Sequence, residues 1–392
     1  MDPLRSQIRV TRCKDCQTTQ AEDLSAPVCP TCGAAWEAQV FYLPEGFWAP
    51  RQSDRVQDSV GAAPSADRPE LGWVNLASEA DTRVGAVEVW TLEKAQILVL
   101  NDNGGKLFTL YDGGRKRVRV WSENNPISGQ ALKGEGGIAD VRVTDAALLK
   151  VTPTEHLGGP IATSAEETPW GHAALTSFAA ALRLGAQAEL DVDPTDLRVG
   201  LQPRRVDDLR THVVYVADAL ENGAGYAVEL ADGERLRSVL EHIAGPVAAR
   251  WSAEGHAGVC NPSCQNCLRS YDNRLDHPWL DWRLALDVAD LALGRPWDGS
   301  RWMSLAATAC ETLVKGFPDV RHEREYPLDV LVSGRRAVVV GHPLWRHREE
   351  GWNALQQETA TRLRQEGFEV RMWDVKTVHG FPARAARFLL GG

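Results

Sequence analysis

Seven of the eight cysteines in this chain fall into two clusters with the spacing of zinc ligands. The first reads Cys13-Lys-Asp-Cys16, then twelve residues, then Cys29-Pro-Thr-Cys32. A Cys-x-x-Cys turn wraps two thiolates around one ion, and a second such turn closes a tetrahedron. The twelve intervening residues suit a β-hairpin that returns the chain to the same ion, and two halves at this separation argue for a zinc ribbon over a redox pair. Four protein ligands leave no position for an activated water, so this zinc is expected to be structural.

The second cluster, Cys260-Asn-Pro-Ser-Cys264-Gln-Asn-Cys267, supplies three thiolates and needs a fourth donor. His277, ten positions after Cys267, is the preferred ligand, and His256, four positions before Cys260, is the competitor. The third option, an open position holding water, would make the zinc catalytic, but no well-placed general base accompanies it. Two zinc sites are therefore expected. Cys310 lies in an apolar helical stretch and reads as a buried core thiol.

The elements that must position these ligands divide the 392 residues into several regions. Residues 1–48 form the ribbon and its exit, and 49–70 are rich in Pro, Ala, Ser and Asp, as a linker or loop would be. Residues 71–139 are β-rich, with runs at 84–92, 96–100 and 106–111 that read as a β-meander broken at Glu93-Lys94 and at Asn101-Asp-Asn-Gly-Gly105. A glycine patch at 134–137 precedes residues 140–296, a mixed α/β domain carrying the second cluster. There a strand precedes Gly223-Ala-Gly225 and a helix. That order can cradle phosphate, although a tight turn explains it better. Residues 297–392 read as helix, strand, strand, helix, strand, helix. The fold class is mixed α/β and multidomain.

The formal net charge of −10 argues against a protein that coats nucleic acid nonspecifically, yet leaves room for a local basic face. Arg115, Arg117 and Arg119 alternate with other residues on one predicted strand and read equally as candidate phosphate contacts or as an ordinary solvated strand face. No apolar run is long enough to span a membrane and no secretion signal is present, so no membrane partner is expected. Zinc-type cysteines fit a reducing, cytoplasmic compartment.

Three motifs together resemble one family. Asp218-x-x-Glu-Asn-Gly-Ala-Gly-Tyr226, Cys260-x-x-x-Cys-x-x-Cys-Leu-Arg-Ser-Tyr-x-Asn273 and His277-x-x-Leu-Asp281-x-Arg283 resemble the MrfA-like zinc-binding domain. The amino-terminal ribbon and Asn101-Asp-Asn-x-Gly105 are similar to the arrangement of DrmB-type subunits of DISARM antiphage systems. The resemblance implies a bacterial, helicase-associated zinc protein, with a DNA helicase or translocase as partner and DNA reached through that complex. Helicase-fused members often carry four cysteines where this chain offers three. Asp281 and Arg283 read either as outer supports of the zinc site or, preferably, as helix-cap and solvated residues.

The sequence holds no Gly-x-x-x-x-Gly-Lys-Ser/Thr loop, so the phosphate cradle and magnesium ligand of an ATP motor are missing from it. The carboxy-terminal order resembles the core of PD-(D/E)xK nucleases. Asp329 stands at the first acidic position, while Val340-Gly-His-Pro-Leu-Trp345 lacks the second acid and the lysine. One carboxylate does not hold the magnesium of such a site. The expected function is a non-catalytic, zinc-binding accessory subunit that docks on a DNA helicase and helps bind DNA in antiphage defence. The alternatives are a metal-dependent nuclease around Asp329, or a pure protein-docking module.

Overall fold

The computed structural model describes residues 6–21, 27–44, 69–76, 79–112, 118–121, 129, 131–206 and 209–391. Most of the predicted linker at 49–70 lies outside them, as do Arg115 and Arg117. Among the described residues one large sheet holds eleven strands. They are β1 (Gln7–Arg12), β2 (Thr19–Ala21), β3 (Ala38–Tyr42), β4 (Pro69–Leu71), β5 (Thr82–Val84), β6 (Val87–Asn101), β7 (Phe108–Asp112), β8 (Val118–Trp121), β9 (Leu132–Val151), β10 (Leu197–Val206) and β11 (Leu209–Asp218). The trunk is β9, whose second half lies between β11 and β6 and whose first half meets β3 and β7. The expected boundary at 139/140 falls inside this strand, so the β-rich region and the α/β region share one sheet.

The glycine patch has a packing cause. A Cβ on Gly137 would stand 2.3 Å from the Phe41 ring. Only glycine lets β3 of the ribbon lie beside β9, where Phe41 pairs with Gly137. Ile8, Val10 and Phe41 then bury against Leu98, Leu100 and Ala139, which fixes the ribbon to the sheet. The predicted break at Glu93-Lys94 is not a turn. There β6 continues through a bulge between Leu92 and Ala95, with Lys94 at φ 61°.

Helices cover one face of the sheet. They are α1 (Gly171–Leu190), α2 (Tyr226–Ala231), α3 (Gly233–His242), α4 (Ala248–Ser252), α5 (Glu254–Ala257) and α6 (Trp282–Ala292). Eight alanines and glycines among the buried positions of α1 let it run between the sheet and α6 with almost no solvent-facing side. The carboxy-terminal part adds α7 (Ser300–Gly316), β12 (Arg321–Glu323), β13 (Asp329–Ser333), β14 (Arg336–Gly341), α8 (Ala354–Gln365), β15 (Glu369–Asp374), α9 (Val375–Gly380) and α10 (Pro382–Leu390). Its four-stranded sheet runs β12-β13-β14-β15, with β15 parallel to β14. One face packs on α8 through Val330, Val332, Val339 and Leu363. The other face joins Leu331, Val338, Val340 and Phe388 to the core that also holds α1, α6 and the second cysteine cluster. Cys310 is fully buried in α7, as its apolar context predicted. Among the described residues no helix is long and apolar enough to cross a membrane.

Candidate metal centres and the cleft between them

The first centre is built by two matched turns. The Cys13 carbonyl accepts from Gln17 N–H at 3.0 Å, with Gln17 at φ 64°, and the Cys29 carbonyl accepts from Gly33 N–H at 2.8 Å, with Gly33 at φ 75°. These turns bring Cys13 Sγ to 3.5 Å from Cys32 Sγ and Cys16 Sγ to 3.5 Å from Cys29 Sγ. The four sulfurs all lie within 4.8 Å of one another. Thiolates about 2.3 Å from one ion in a tetrahedron stand about 3.8 Å apart, so the donor set fits zinc.

The second centre gathers His256, Cys260, Cys264 and Cys267 within the same limit of 4.8 Å. Cys260 N–H donates to the His256 carbonyl at 2.8 Å, a single turn that places residues four apart on one face. Cys264 Sγ stands 3.5 Å from His256 Nε2 and 3.8 Å from Cys267 Sγ, and Cys260 Sγ stands 3.8 Å from Cys267 Sγ. His256 Nδ1 lies 2.8 Å from the Trp251 carbonyl, which only accepts, so the ring proton sits on Nδ1 and Nε2 offers its lone pair to the metal. The Trp282 ring flanks this imidazole at 5.6 Å, and its indole N–H donates to the Cys260 carbonyl at 3.3 Å. Burial pushes the Cys260 thiol up, and a bound dication reverses that sign by favouring the thiolate.

His277, the preferred fourth ligand from sequence, is corrected to His256. His277 Nε2 lies 2.9 Å from the Ser270 carbonyl and 3.1 Å from Asn273 Oδ1. The carbonyl is an acceptor, so Nε2 carries a proton and pins the loop instead of binding metal. Asp281 caps α6 by accepting from Arg283 N–H at 2.9 Å, and it also pairs with Lys376. Arg283 lies over the Trp282 ring at 4.5 Å. The loop at Gly223-Ala-Gly225 is a turn around a carboxylate: buried Asp218 accepts from Ala224, Gly225 and Ala227 N–H at 2.6, 2.7 and 2.8 Å. The backbone donors a phosphate would need are thus already used. Of the candidate basic face, Arg119 lies in β8 opposite Tyr111.

Residues 178–268 match the family model described as the MrfA Zn-binding domain. This chain carries an MrfA-type zinc-binding domain. The match opens inside α1 and closes just past Cys267, so it contains the whole His256–Cys260–Cys264–Cys267 centre and excludes His277. Among solved structures the chain is similar to one titled "Crystal Structure of DUF1998 helicase MrfA bound to DNA", at 13% identity and a TM-score of 0.31, over 57% of this chain. The chain spans 25% of that structure's length. None of the curated proteins compared with it matches. Among the described residues two donor sets fit zinc, one in the ribbon and one in the MrfA-type domain, each with four protein donors.

A cleft of about 490 Å³ opens between the ribbon and the loop that follows the second centre. Its walls come from the ribbon (Arg12, Gln17, Thr19), from α1, from β10 and from the loop of residues 272–276 after the second centre. His212 on its wall is mostly buried, and that burial, aided by the neighbouring His172, pulls its pKa down to about 3. A histidine held neutral in the fold costs nothing above its unfolded pKa of about 6.5. As pH falls below that value the unfolded chain gains a proton that the folded chain refuses, and stability is lost. Replacing His212 with Gln, which retains a partner for Thr163 Oγ1, is expected to flatten this loss. Between pH 7.5 and 5 the variant should lose about 2 kcal/mol less than the parent in denaturant titrations. Equal losses in both proteins would refute the assignment.

Proposed function

We propose that this chain is a non-catalytic accessory subunit, built on two zinc ions, that docks on a DNA helicase or translocase and helps hold DNA in antiphage defence. The observation that carries the reading is the MrfA-type domain, matched over residues 178–268 and complete in its four metal donors. MrfA itself, the protein whose name the domain bears, is a helicase bound to DNA in the compared structure. An ATP motor requires a P-loop, and none occurs in these 392 residues, so the motor would lie outside them. Phosphate contacts would come from arginines, whose planar fork matches phosphate oxygens. Arg115, Arg117 and Arg119 are retained as candidates for that contact.

For the carboxy-terminal part we propose a nuclease-like core without its chemistry. Asp329 opens β13 opposite Val340, and its Oδ1 is held by His322 Nε2 at 2.9 Å. It joins no group of three or more metal donors among the described residues. The test is a DNA-binding titration across salt, run beside an incubation with Mg²⁺ or Mn²⁺, on the purified chain alone and with a copurified helicase. Expected are an affinity that falls steeply with salt and intact DNA in every lane. Cleavage abolished by Asp329→Ala would replace this reading with a nuclease. Helicase capture with DNA affinity unchanged would leave only a docking module.

A further inference from the structure

The cleft between the zinc centres has the features of a built site. Arg183 projects from α1 into its wall and is 94% buried by its 6% exposure. Its Nη2 donates to Ser270 Oγ at 2.8 Å and its Nη1 stands 4.0 Å from Asp272, while its Nε has no hydrogen-bond partner among the described residues. A buried guanidinium with an unmade hydrogen bond needs an account, because each such group carries its full desolvation cost. Four arginines (Arg12, Arg183, Arg198, Arg274) face three carboxylates (Glu70, Asp272, Asp276) across the cleft, and His212 stays neutral. The excess of one positive charge suits a ligand with a single negative charge, as one phosphodiester carries.

Size and rim point the same way. The volume falls within the range of roughly 300–1,000 Å³ found for small-molecule sites. Next to the lining residues 272–276, Tyr271 is 79% exposed and carries the guanidinium of the lining residue Arg274 over its ring at 4.7 Å. An exposed aromatic held beside a basic groove is the arrangement on which unpaired bases stack. A duplex hides its base faces in its own stack, so it offers this ring nothing except at its ends.

We propose that the cleft seats one nucleotide of a single-stranded DNA, its phosphodiester against Arg183 and Arg198 and its base against the Tyr271–Arg274 pair. The inference rests on the DNA-binding reading above and gives it a strand type and a location. Both zinc centres then act as the jaws of one site, because the ribbon supplies Arg12 and the loop of residues 272–276 follows the second centre.

The test is fluorescence anisotropy with a labelled oligo-thymidine and a blunt duplex, using the full chain and its Tyr271→Ala and Arg198→Ala variants. Both side chains lie at the surface or half-buried, and zinc content with the melting midpoint checks that each variant folds. Tyr271→Ala is expected to weaken single-strand binding about tenfold and leave duplex binding unchanged. Arg198→Ala should reduce the slope of log affinity against log salt by about 0.7 for the single strand. If the parent binds DNA and both variants match it, the cleft assignment fails while the DNA reading stands. If the parent binds neither DNA, both fail.

Discussion

Replacing His256 with alanine is expected to lower the zinc content from two ions per chain to one, whereas His277→Ala should leave both in place. His256 Nε2 faces Cys264 Sγ at 3.5 Å with its proton fixed on the opposite nitrogen, and His277 has its own Nε2 proton committed to the Ser270 carbonyl. Structural zinc contributes folding free energy on the order of 10 kcal/mol, so loss of the ion should be felt well beyond the site. The route is visible in the packing. Cys260, Cys267 and Leu268 belong to the same buried cluster as Trp251, Trp282 and the α1 face. Cys264→Ala should give the same single-ion protein with a similarly depressed melting midpoint. Elemental analysis of the three purified variants decides the matter. A His277→Ala protein that loses zinc, or a His256→Ala protein that keeps two ions, would restore the assignment read from sequence.

That reversal shows where the sequence was legible. Cysteine spacing announced both metal centres, because a Cys-x-x-Cys turn needs only local geometry. The fourth donor of the second centre was decided by a feature with a weak sequence signature. His256 and Cys260 are four residues apart, a helical spacing, but the helix that uses it, α5, is only four residues long. His277 fits the order of a metal motif and fails because Asn273 and Ser270 bend their loop back onto it. In the carboxy-terminal part α7, β13, β14, α8, β15 and α10 were readable from apolar periodicity, whereas the short β12 and α9 were not. The continuity of β9 was not, since the glycines at 134–137 look like a linker and serve instead to admit the rings of Phe41 and Tyr42. The cleft drew no comment from the sequence either. Its walls come from segments between 12 and 280, and nothing local links Arg12 to Arg183.

Asp287→Ala is expected to destabilise the chain by about 3–5 kcal/mol, the largest effect of any substitution remote from zinc. Asp287 is a charge in the middle of α6, wholly buried, where an isolated carboxylate would not survive. It persists because three donors converge on it. Arg301 Nη1 reaches Oδ1 at 2.9 Å, and the Trp302 indole N–H and His342 Nε2 reach Oδ2 at 2.7 and 2.9 Å. His342 can donate there because its Nδ1 accepts from Leu344 N–H at 3.1 Å, and its ring is held flat against Trp297 at 4.1 Å. The same Arg301 nitrogen reaches Asp290 at 2.7 Å, so the cation is shared between two carboxylates. Removing Asp287 strands the buried Trp302 and His342 donors and leaves Arg301 with Asp290 alone, and these groups come from the start of α7 and the end of β14. The cost therefore falls on the junction between the MrfA-type domain and the carboxy-terminal sheet. Asp287→Asn keeps the shape and an acceptor, and should cost less. Denaturant titration measures both. If the alanine variant lost under about 1 kcal/mol, or if the two variants were equal, the junction would owe its stability to the surrounding apolar core and not to this carboxylate.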